Sequence, residues 1–285
     1  MNSTTTGSAT GERLAALFDK TVAVSVRIAN LVFDAPFTSL VDYGERARSI
    51  ARIYAELLGL VVITRADFYR SMGYPADDGD AYDCLVRNPA GPSIAFEPVH
   101  GAYQRVRWPD PDRPAQMHVD IAMPDLADAH RRVLELGGEV LLEADDHRSY
   151  ADPVGHPFCL YPGADGPVGR IRRVVLACFS PRSLAGFYRS FMGAERTVAD
   201  TSEWVEIAPS DGSLPSLGFR HVVQVPPRWP DPTRPQQVHL DYALDGDGAA
   251  LADKVVELGA MRLTEHKGGH VYADPAGHPF CLCGP

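Results

Sequence analysis

The stretch RVRWPDPDRPAQMHVDIAM at residues 105–123 decides the architecture, because the chain contains it twice. It recurs at residues 226–244 as PPRWPDPTRPQQVHLDYAL, which aligns Trp108 with Trp229 and His118 with His239. Further along, YADPVGHPFCL at 150–160 recurs as YADPAGHPFCL at 272–282. A long internal repeat indicates that the molecule is assembled from copies of one structural unit. The sequence therefore predicts two homologous halves.

Each half shows a second, shorter rhythm. A β-rich stretch is followed by an amphipathic helix ending in glycine, and then by two or three strands with turns. The helices are RSIARIYAELLG, LADAHRRVLELGG, RSLAGFYRSFMG and AALADKVVELGA. This pattern predicts an α+β chain of four βαβββ modules. The expected divisions are a tail and short helix at 1–22, a first domain at 23–163, a linker at 164–170 and a second domain at 171–285.

Composition excludes several classes of protein. The 27 Lys and Arg against 37 Asp and Glu give a net charge of −10, and such a surface repels the phosphates of nucleic acid. No stretch approaches the ~20 apolar residues of a membrane helix. The start of the chain lacks the basic and apolar regions of a signal peptide, so we expect a cytoplasmic protein. Five cysteines without a CxxC pair favour free thiols over disulfides or a zinc knuckle.

The helix ends at Ile53–Gly59 and Phe187–Gly193, the His-x-Asp strands and the DPxGHPFCL segments resemble the vicinal oxygen chelate (VOC) superfamily. That superfamily contains glyoxalase I, bleomycin-resistance proteins and extradiol dioxygenases. The resemblance spans residues 24–284. It implies that two modules form one cup-shaped sheet with the site on its concave side, so that the four modules make two glyoxalase-like cups, one in each half.

The resemblance also implies where metal ligands would lie. The corresponding positions are Asn30, Ala95, His118 and Cys159 in the first half and Arg173, Gly218, His239 and Cys281 in the second. The usual carboxylates are absent, and each half keeps one histidine, fewer than a catalytic zinc or an iron facial triad requires. We therefore expect no cofactor, although a divalent metal is not excluded. Glu97 projects to the same face as Ala95 and is the candidate substitute carboxylate.

Strand periodicity places a histidine and an aspartate on one face of each repeated strand. His118 shares a face with Asp120, and His239 shares a face with Asp241, opposite an apolar face. Residues two apart lie ~7 Å from each other, which is long for a direct hydrogen bond. These four residues are candidates for proton transfer or ligand binding. The alternative is that each histidine anchors its RWPDP loop.

Arg173 is the sharpest clue to a ligand, because a guanidinium at a metal-ligand position repels cations and binds carboxylates or enolates. Asn30 is its neutral counterpart in the first half. The alternative is that Arg173 decorates an edge strand.

Two thiols and two indoles complete the candidate ligand-binding residues. Cys159 and Cys281 lie on strands whose Phe and Leu take the other face, so both thiols are expected to point into a cup or to be buried and inert. Trp108 and Trp229 either cap the core or form a stacking wall at the cup mouth.

These patterns favour a small-molecule-binding protein akin to the antibiotic-sequestering members of the superfamily, with an aromatic-lined cup. The expected ligand is a planar or anionic natural product. The first alternative is a lyase or isomerase that uses His118 or His239 in acid–base catalysis or an atypical metal site. The second is a pseudo-enzyme whose halves serve as a dimerisation scaffold, and a homodimer is compatible with all three.

Overall fold

The computed structural model describes residues 25–36, 40–64, 66–67, 70, 75, 84–99, 105–108, 110, 112–193, 196–212, 215–223, 237–245, 248–266 and 269–283. The predicted tail and short helix at 1–22 lie outside these residues.

The described residues form four βαβββ modules. The strands are β1 Ser25–Pro36, β2 Val61–Thr64, β3 Cys84–Arg87, β4 Ser93–Val99, β5 Met117–Met123, β6 Glu139–Glu143, β7 Arg148–Ala151, β8 Pro157–Pro162, β9 Arg170–Cys178, β10 Arg196–Asp200, β11 Trp204–Ala208, β12 Ser216–His221, β13 Val238–Asp245, β14 Met261–His266, β15 Gly269–Ala273 and β16 Pro279–Cys283. The helices are α1 Leu40–Leu58, α2 Leu126–Glu135, α3 Pro181–Met192 and α4 Gly248–Glu257. The α+β class and the modular repeat are confirmed.

The modules combine into two eight-stranded sheets. Sheet A has the order β14-β15-β16-β13-β1-β4-β3-β2, and sheet B has the order β10-β11-β12-β9-β5-β8-β7-β6. The first module thus shares a sheet with the fourth, and the second shares one with the third. The expectation that each half closes its own cup is therefore wrong, because each sheet takes one module from each half. The boundaries 23–163, 164–170 and 171–285 remain predictions.

The pairing has a common geometry in both sheets. The first strands of the two modules meet antiparallel at the centre, as β1 with β13 and as β5 with β9. Asn30 lies opposite Asp241 in sheet A, and Arg173 lies opposite Asp120 in sheet B. Asn30 of sheet A therefore corresponds to Arg173 of sheet B, and Asp241 corresponds to Asp120.

The two sheets share one hydrophobic core. A single cluster of buried residues includes Leu31 and Phe33 of sheet A, Val119 and Ile121 of sheet B, and the apolar faces of the helices. Tyr188 of α3 illustrates the sharing, since its ring contacts Phe219 of sheet B and Tyr242 of sheet A. Because alternate residues of a strand point to opposite faces, the His-x-Asp faces of both sheets point away from this core.

The repeated DPxGHP segments form two similar buried turns. Asp152 Oδ1 accepts hydrogen bonds from the backbone N–H groups of Val154, Gly155 and His156, and Asp274 Oδ1 accepts from those of Ala276 and His278. His156 Nδ1 lies 2.8 Å from Asp152 Oδ2, and His278 Nδ1 lies 3.0 Å from Asp274 Oδ2. All four side chains are buried, so these histidines secure the turns between strands.

Two simpler expectations can also be compared with the described residues. Cys159, Cys178, Cys281 and Cys283 are free thiols, as predicted. No helix within the described ranges has the length and apolar character needed to span a membrane.

Candidate functional site

The two His-x-Asp faces are the candidate sites. We call the face of sheet A that carries His239 cup A, and the face of sheet B that carries His118 cup B. Among the described residues, each cup contains one histidine. The aspartate and cysteine beside it come from the same half of the chain, and the other module of the sheet comes from the other half.

His118, Asp120 and Cys159 form a compact group in cup B. His118 Nε2 lies 3.3 Å from Asp120 Oδ1, which is closer than the strand spacing predicts because the two side chains lean toward each other. Cys159 lies opposite Asp120 on the neighbouring strand, and its Sγ is 3.1 Å from the hydroxyl of Ser149. The donor atoms of the three residues lie within 4.8 Å of one another, so the group could hold a metal ion. The thiol of Cys159 therefore points into the cup.

His118 and Asp120 favour the charged form of each other. Burial opposes the charge on His118, but Asp120 and Cys159 outweigh burial and raise the pKa of His118 to about 9. Burial likewise opposes the charge on Asp120, whereas His118 and Arg173 hold the pKa of this carboxyl below its usual value. His118 is consequently protonated at neutral pH and paired with an ionised carboxylate.

Arg173 is held inside the protein by two carboxylates. Its Nε donates to Asp120 Oδ2 at 2.7 Å, and its second guanidinium arm donates to Glu206 Oε2 at 2.7 Å. Glu206 also accepts a 2.7 Å hydrogen bond from Ser216. Because β9 lies between β12 and β5, the interpretation of Arg173 as edge-strand decoration is wrong. The guanidinium fork is occupied by protein carboxylates and is not free for a ligand.

Aromatic rings cover the Arg173 guanidinium. Its Cζ lies 4.7 Å from the ring centroid of Trp204 and 5.6 Å from that of Tyr161, both cation–π distances. Gly218 makes room for the indole, because a Cβ at this position would clash with the Trp204 ring. Gly218 occupies a position at which the resemblance implies a metal-binding carboxylate. Here the glycine instead allows Trp204 to pack on Arg173.

Arg220 is a cation of cup B for which the described residues provide no ion pair. It is largely buried, and its guanidinium stacks 5.7 Å from the ring centroid of Trp108. Its Nε is buried without a hydrogen-bond partner, and burial lowers the pKa of the side chain. Asp120 and Cys159 are near enough to influence that pKa, so the guanidinium faces the floor of the cup. Among the described residues, Arg220 is the group of cup B best placed to bind an anion.

Further arginines lie beside this network. Arg170, Arg172 and Arg196 line a cavity of about 250 Å³ that also contacts Glu206 and Ser216. Arg172 in addition stacks 5.1 Å from the ring of Tyr161. Cup B thus concentrates positive charge on one face of a chain whose net charge is −10.

Cup A has the same plan with different chemistry. Asn30 Nδ2 donates to Asp241 Oδ2 at 3.0 Å, where cup B has the ion pair between Arg173 and Asp120. His239 Nε2 lies 3.4 Å from Asp241 Oδ1. The His-x-Asp pair is therefore retained, but a neutral amide replaces the guanidinium beside it.

A pair of thiols is the distinctive feature of cup A. Cys281 lies opposite Asp241 on the neighbouring strand, and Cys283 follows two residues later on the same face. The two Sγ atoms are 3.3 Å apart. The pKa of Cys281 is raised by its hydrogen bond with Cys283, by burial, and by the negative charges of Asp241 and Glu97. Glu97, predicted as a substitute ligand in the first half, therefore acts in cup A.

Strand register equates the two cups residue by residue. Val32 pairs with Ala95 in sheet A as Val175 pairs with Gly218 in sheet B, so Glu97 and Arg220 occupy equivalent positions. The other matched positions, with the cup A residue first, are Asn30 and Arg173, Leu85 and Glu206, and Cys283 and Tyr161. The cups thus carry opposite charges at the same place.

The metal centre implied by the VOC fold does not fit cup B in its usual form. Of its four ligand positions, Arg173 is itself a cation and Gly218 has no donor atom. Asp120 Oδ1 is buried without a hydrogen-bond partner, which a cation could satisfy, but protonated His118 already faces it. The positive charges of Arg173 and Arg220 further oppose a divalent ion at this point.

The sequence analysis assigned no role to several residues of the sites. Two of them could have been found from their spacing along the strand. Arg220 lies two residues after Gly218, and Cys283 lies two residues after Cys281, so period-2 alternation could have placed both in the cups. Glu206 and Trp204 had no such signal. Trp108 stacks with Arg220 at the cup B face, whereas Trp229 lies outside the described residues.

Comparison with known proteins agrees with this architecture. The family model described as a glyoxalase-like domain matches residues 40–161 and 173–283. Crystal structures of glyoxalase I from Zea mays, one of a point mutant, are similar at TM-scores of 0.60 and 0.62 with 16% identity in both cases. They cover 92% and 95% of this chain and 93% and 96% of their own.

A candidate dioxygenase from Bacillus subtilis gives a TM-score of 0.58 at 14% identity, covering 90% of this chain and 86% of its own. No curated protein matches the sequence significantly. These identities establish the shared fold only, whereas the family model spans most of both halves. The chain therefore belongs to the glyoxalase-like domain family of the VOC superfamily, with two tandem copies.

Proposed function

We propose that cup B binds a small organic anion, and that the ligand is a planar carboxylate or enolate. The observation that carries this proposal is Arg220, a largely buried guanidinium with an unpartnered Nε beside the indole of Trp108. A buried hydrogen-bond donor without a partner is costly, and an anionic ligand that accepts from it would remove that cost. In the free protein Arg220 has already lost part of its hydration, so ligand binding does not have to remove that water.

The surroundings of Arg220 support a flat ligand. The indole of Trp108 flanks the guanidinium, and Trp204 and Tyr161 add aromatic surface over the neighbouring Arg173. Sites for small molecules combine apolar and aromatic walls with a few placed polar groups. In this arrangement Arg220 binds the anionic group while the aromatic rings contact the planar body.

Arg173 has a different role in the proposal. Because Asp120 and Glu206 neutralise its charge, it fixes the floor of the cup and leaves the ligand to Arg220. The arginines Arg170, Arg172 and Arg196 raise the local positive potential, which favours the approach of an anion to an otherwise acidic protein.

Titration calorimetry with benzoate and its neutral isostere benzamide tests the proposal. Benzoate is expected to bind the wild type, and benzamide is expected to bind at least about tenfold more weakly because it lacks the charge. Arg220→Met should abolish this preference, whereas Arg220→Lys should keep part of it. Glu97→Gln, at the equivalent position of cup A, is the matched control and should bind benzoate normally. Equal binding of the two probes, or unchanged binding by Arg220→Met, would overturn the proposal.

Acid–base chemistry on the bound anion is a second candidate function, favoured by the position of His118. Its Nε2 lies on the floor of the cup, 3.3 Å from Asp120, and it is protonated at neutral pH. A protonated imidazole there donates its proton to the carbonyl oxygen of the ligand while solvent water takes the proton from the adjacent carbon, which gives the neutral enol that a lyase or isomerase forms.

Pyruvate in D₂O separates binding from turnover, because enolisation exchanges its methyl protons for deuterium. For an enzyme, the wild type accelerates loss of the methyl signal in proton NMR, and His118→Asn abolishes the acceleration while pyruvate still binds. His239→Asn in cup A is the matched control and should exchange at the wild-type rate. Exchange at the rate of protein-free solution leaves ligand binding as the function of the cup.

A further inference from the structure

Cup A contains a second cluster of possible ligands, outside the site proposed above. The carboxylate of Asp241 and the thiols of Cys281 and Cys283 present their donor atoms within 4.8 Å of one another. Cys281 is buried beside Asp241, and Cys283 lies at the more exposed end of the same strand. Two thiols and a carboxylate converging from adjacent strands match the donors that Zn²⁺ and similar ions take in proteins.

The charges around this cluster favour a cation. Where cup B has Arg173 and Arg220, cup A has Asn30 and Glu97, so two positive charges are replaced by an amide and a carboxylate. Glu97 and Asp241 both act on Cys281, which places their negative charges close to the thiols. The charge pattern that opposes a divalent ion in cup B is therefore reversed in cup A.

The neighbouring side chains also orient and shield the cluster. The amide of Asn30 donates to Asp241 Oδ2 and fixes the carboxylate, as second-layer hydrogen bonds commonly do at metal sites. Val32, Leu85 and Ala95 form a separate apolar cluster on the same face of the sheet. An apolar boundary lowers the local dielectric constant and strengthens the attraction between a cation and its ligands.

We propose that cup A binds a thiophilic divalent metal ion, of which Zn²⁺ is the type, through Cys281, Cys283 and Asp241. Each thiol releases its proton to solvent as its metal–sulfur bond forms, and the carboxylate binds already ionised. His239, with its Nε2 3.4 Å from Asp241 Oδ1, lies near enough to be a further ligand. Binding here is independent of anion binding in cup B.

The proposed site is displaced from the one that the VOC resemblance implies. Of the four implied positions in cup A, Ala95 offers no donor, and the Asn30 amide is bonded to Asp241. Asp241 and Cys283 each lie two residues beyond an implied position on their strands. An ion bound by the two thiols and Asp241 would therefore lie further along β13 and β16 than the implied site.

Cobalt is a suitable probe because its thiolate complexes absorb in the near ultraviolet. We would titrate Co²⁺ into the reduced, chelator-treated full chain, record the thiolate-to-cobalt band, and then add Zn²⁺ as competitor. A saturable band that Zn²⁺ abolishes is expected. Cys281→Ser and Cys283→Ser should each weaken binding by more than about 100-fold, and Asn30→Ala by about 10- to 100-fold through loss of orientation.

Cys159→Ser in cup B is the matched control and should leave the cobalt band unchanged. Loss of the band in this variant would instead assign the ion to the His118 group and overturn the proposal. Absence of any thiolate band in the wild type, or its full retention in Cys283→Ser, would also overturn it. Cys283 is partly exposed, so its serine variant is expected to fold, and circular dichroism verifies this. Benzoate binding of Cys283→Ser reports cup B separately.

Discussion

Cup A and cup B have one backbone plan and opposite electrostatics. Both place a histidine two residues before an aspartate on the central strand, with a cysteine opposite the aspartate on the next strand. Cup B then adds two arginines, Arg173 neutralised by carboxylates and Arg220 with an unpartnered Nε, whereas cup A adds an amide, a glutamate and a second thiol. Duplication therefore preserved the scaffold, while substitutions at a few positions on one face of each sheet reversed the charge there.

The side of each sheet that faces the core kept its apolar character and its buried turns. The DPxGHP turns are nearly identical, with Tyr54 reaching Asp152 at 3.5 Å and Tyr188 reaching Asp274 at 3.0 Å. A shared apolar core excludes unpaired charges because burying them is costly, whereas the cups face away from this core and accept charged groups. The difference between the cups can therefore be tested by exchanging residues at equivalent positions.

The largest expected effect comes from the pair Arg173 and Asn30. Arg173→Met leaves Asp120 and Glu206 buried without their cation and should lower the free energy of unfolding by about 3–5 kcal/mol. Asn30→Ala removes one neutral donor from Asp241 and should cost only about 1 kcal/mol. Urea denaturation measures both. If the two variants lost the same free energy of unfolding, the two cups would not differ in how strongly they hold their aspartates.

Reversal of charge at Arg220 and Glu97 should have the next largest effect. Arg220→Glu should weaken benzoate binding to cup B by about 30- to 150-fold, corresponding to about 2–3 kcal/mol for a charged hydrogen bond. Glu97→Arg should weaken Co²⁺ binding to cup A and leave benzoate binding to cup B intact. Calorimetry measures benzoate binding, and the cobalt band measures Co²⁺ binding. If either substitution affected both ligands alike, the cups would not be independent.

A smaller effect is expected at Gly218 and Ala95, which are equivalent positions. Gly218→Ala inserts a Cβ into the space of the Trp204 ring and should cost about 1–2 kcal/mol, with a shift of tryptophan fluorescence as the indole moves from Arg173. Ala95→Gly should cost less than about 1 kcal/mol and leave the fluorescence unchanged. An unaltered spectrum for Gly218→Ala would contradict the packing of Trp204 on this glycine.

The smallest expected effect is a pH dependence on the core side. Burial opposes the charge on His278, but Asp274, itself bonded to the Tyr188 hydroxyl, outweighs it and raises the pKa of the imidazole above its ordinary value. Its contribution to the free energy of unfolding is complete below about pH 6.5 and declines as pH rises through the raised folded pKa. His278→Gln should remove that decline in urea denaturation series. The same pH slope in wild type and variant would contradict a charged His278.

Much of the fold followed from sequence. The repeat predicted four modules, and alternation placed His118, Asp120, His239 and Asp241 on faces opposite the core, as found. For Cys159 and Cys281 alternation left two outcomes open, a thiol in a cup or a buried and inert one, and both cysteines are buried opposite the aspartates of the cups. These features are local, because a strand's own pattern decides which residues share a face.

The roles of the arginines did not follow from sequence. Arg173 and Arg220 both lie on strands with similar alternation, yet one is bonded to two carboxylates and the other has an unpartnered Nε. Glu206, which decides the difference, belongs to a strand on which sequence reasoning placed no function. Ion pairs between strands depend on register and on side-chain reach, which a single strand does not reveal.

The sequence by itself determined the repeat, the βαβββ modules and the faces of β5 and β13 on which His118 and His239 lie. Only the tertiary structure decided that the first module joins the fourth and the second joins the third. β1 pairs with β13 and β5 with β9 through backbone hydrogen bonds that any strand edge can offer, so a strand's own sequence does not specify its partner. That choice brought Asp241 to Asn30 and Glu97 in one cup and Asp120 to Arg173 and Arg220 in the other, because long-range pairing alone sets which charges meet.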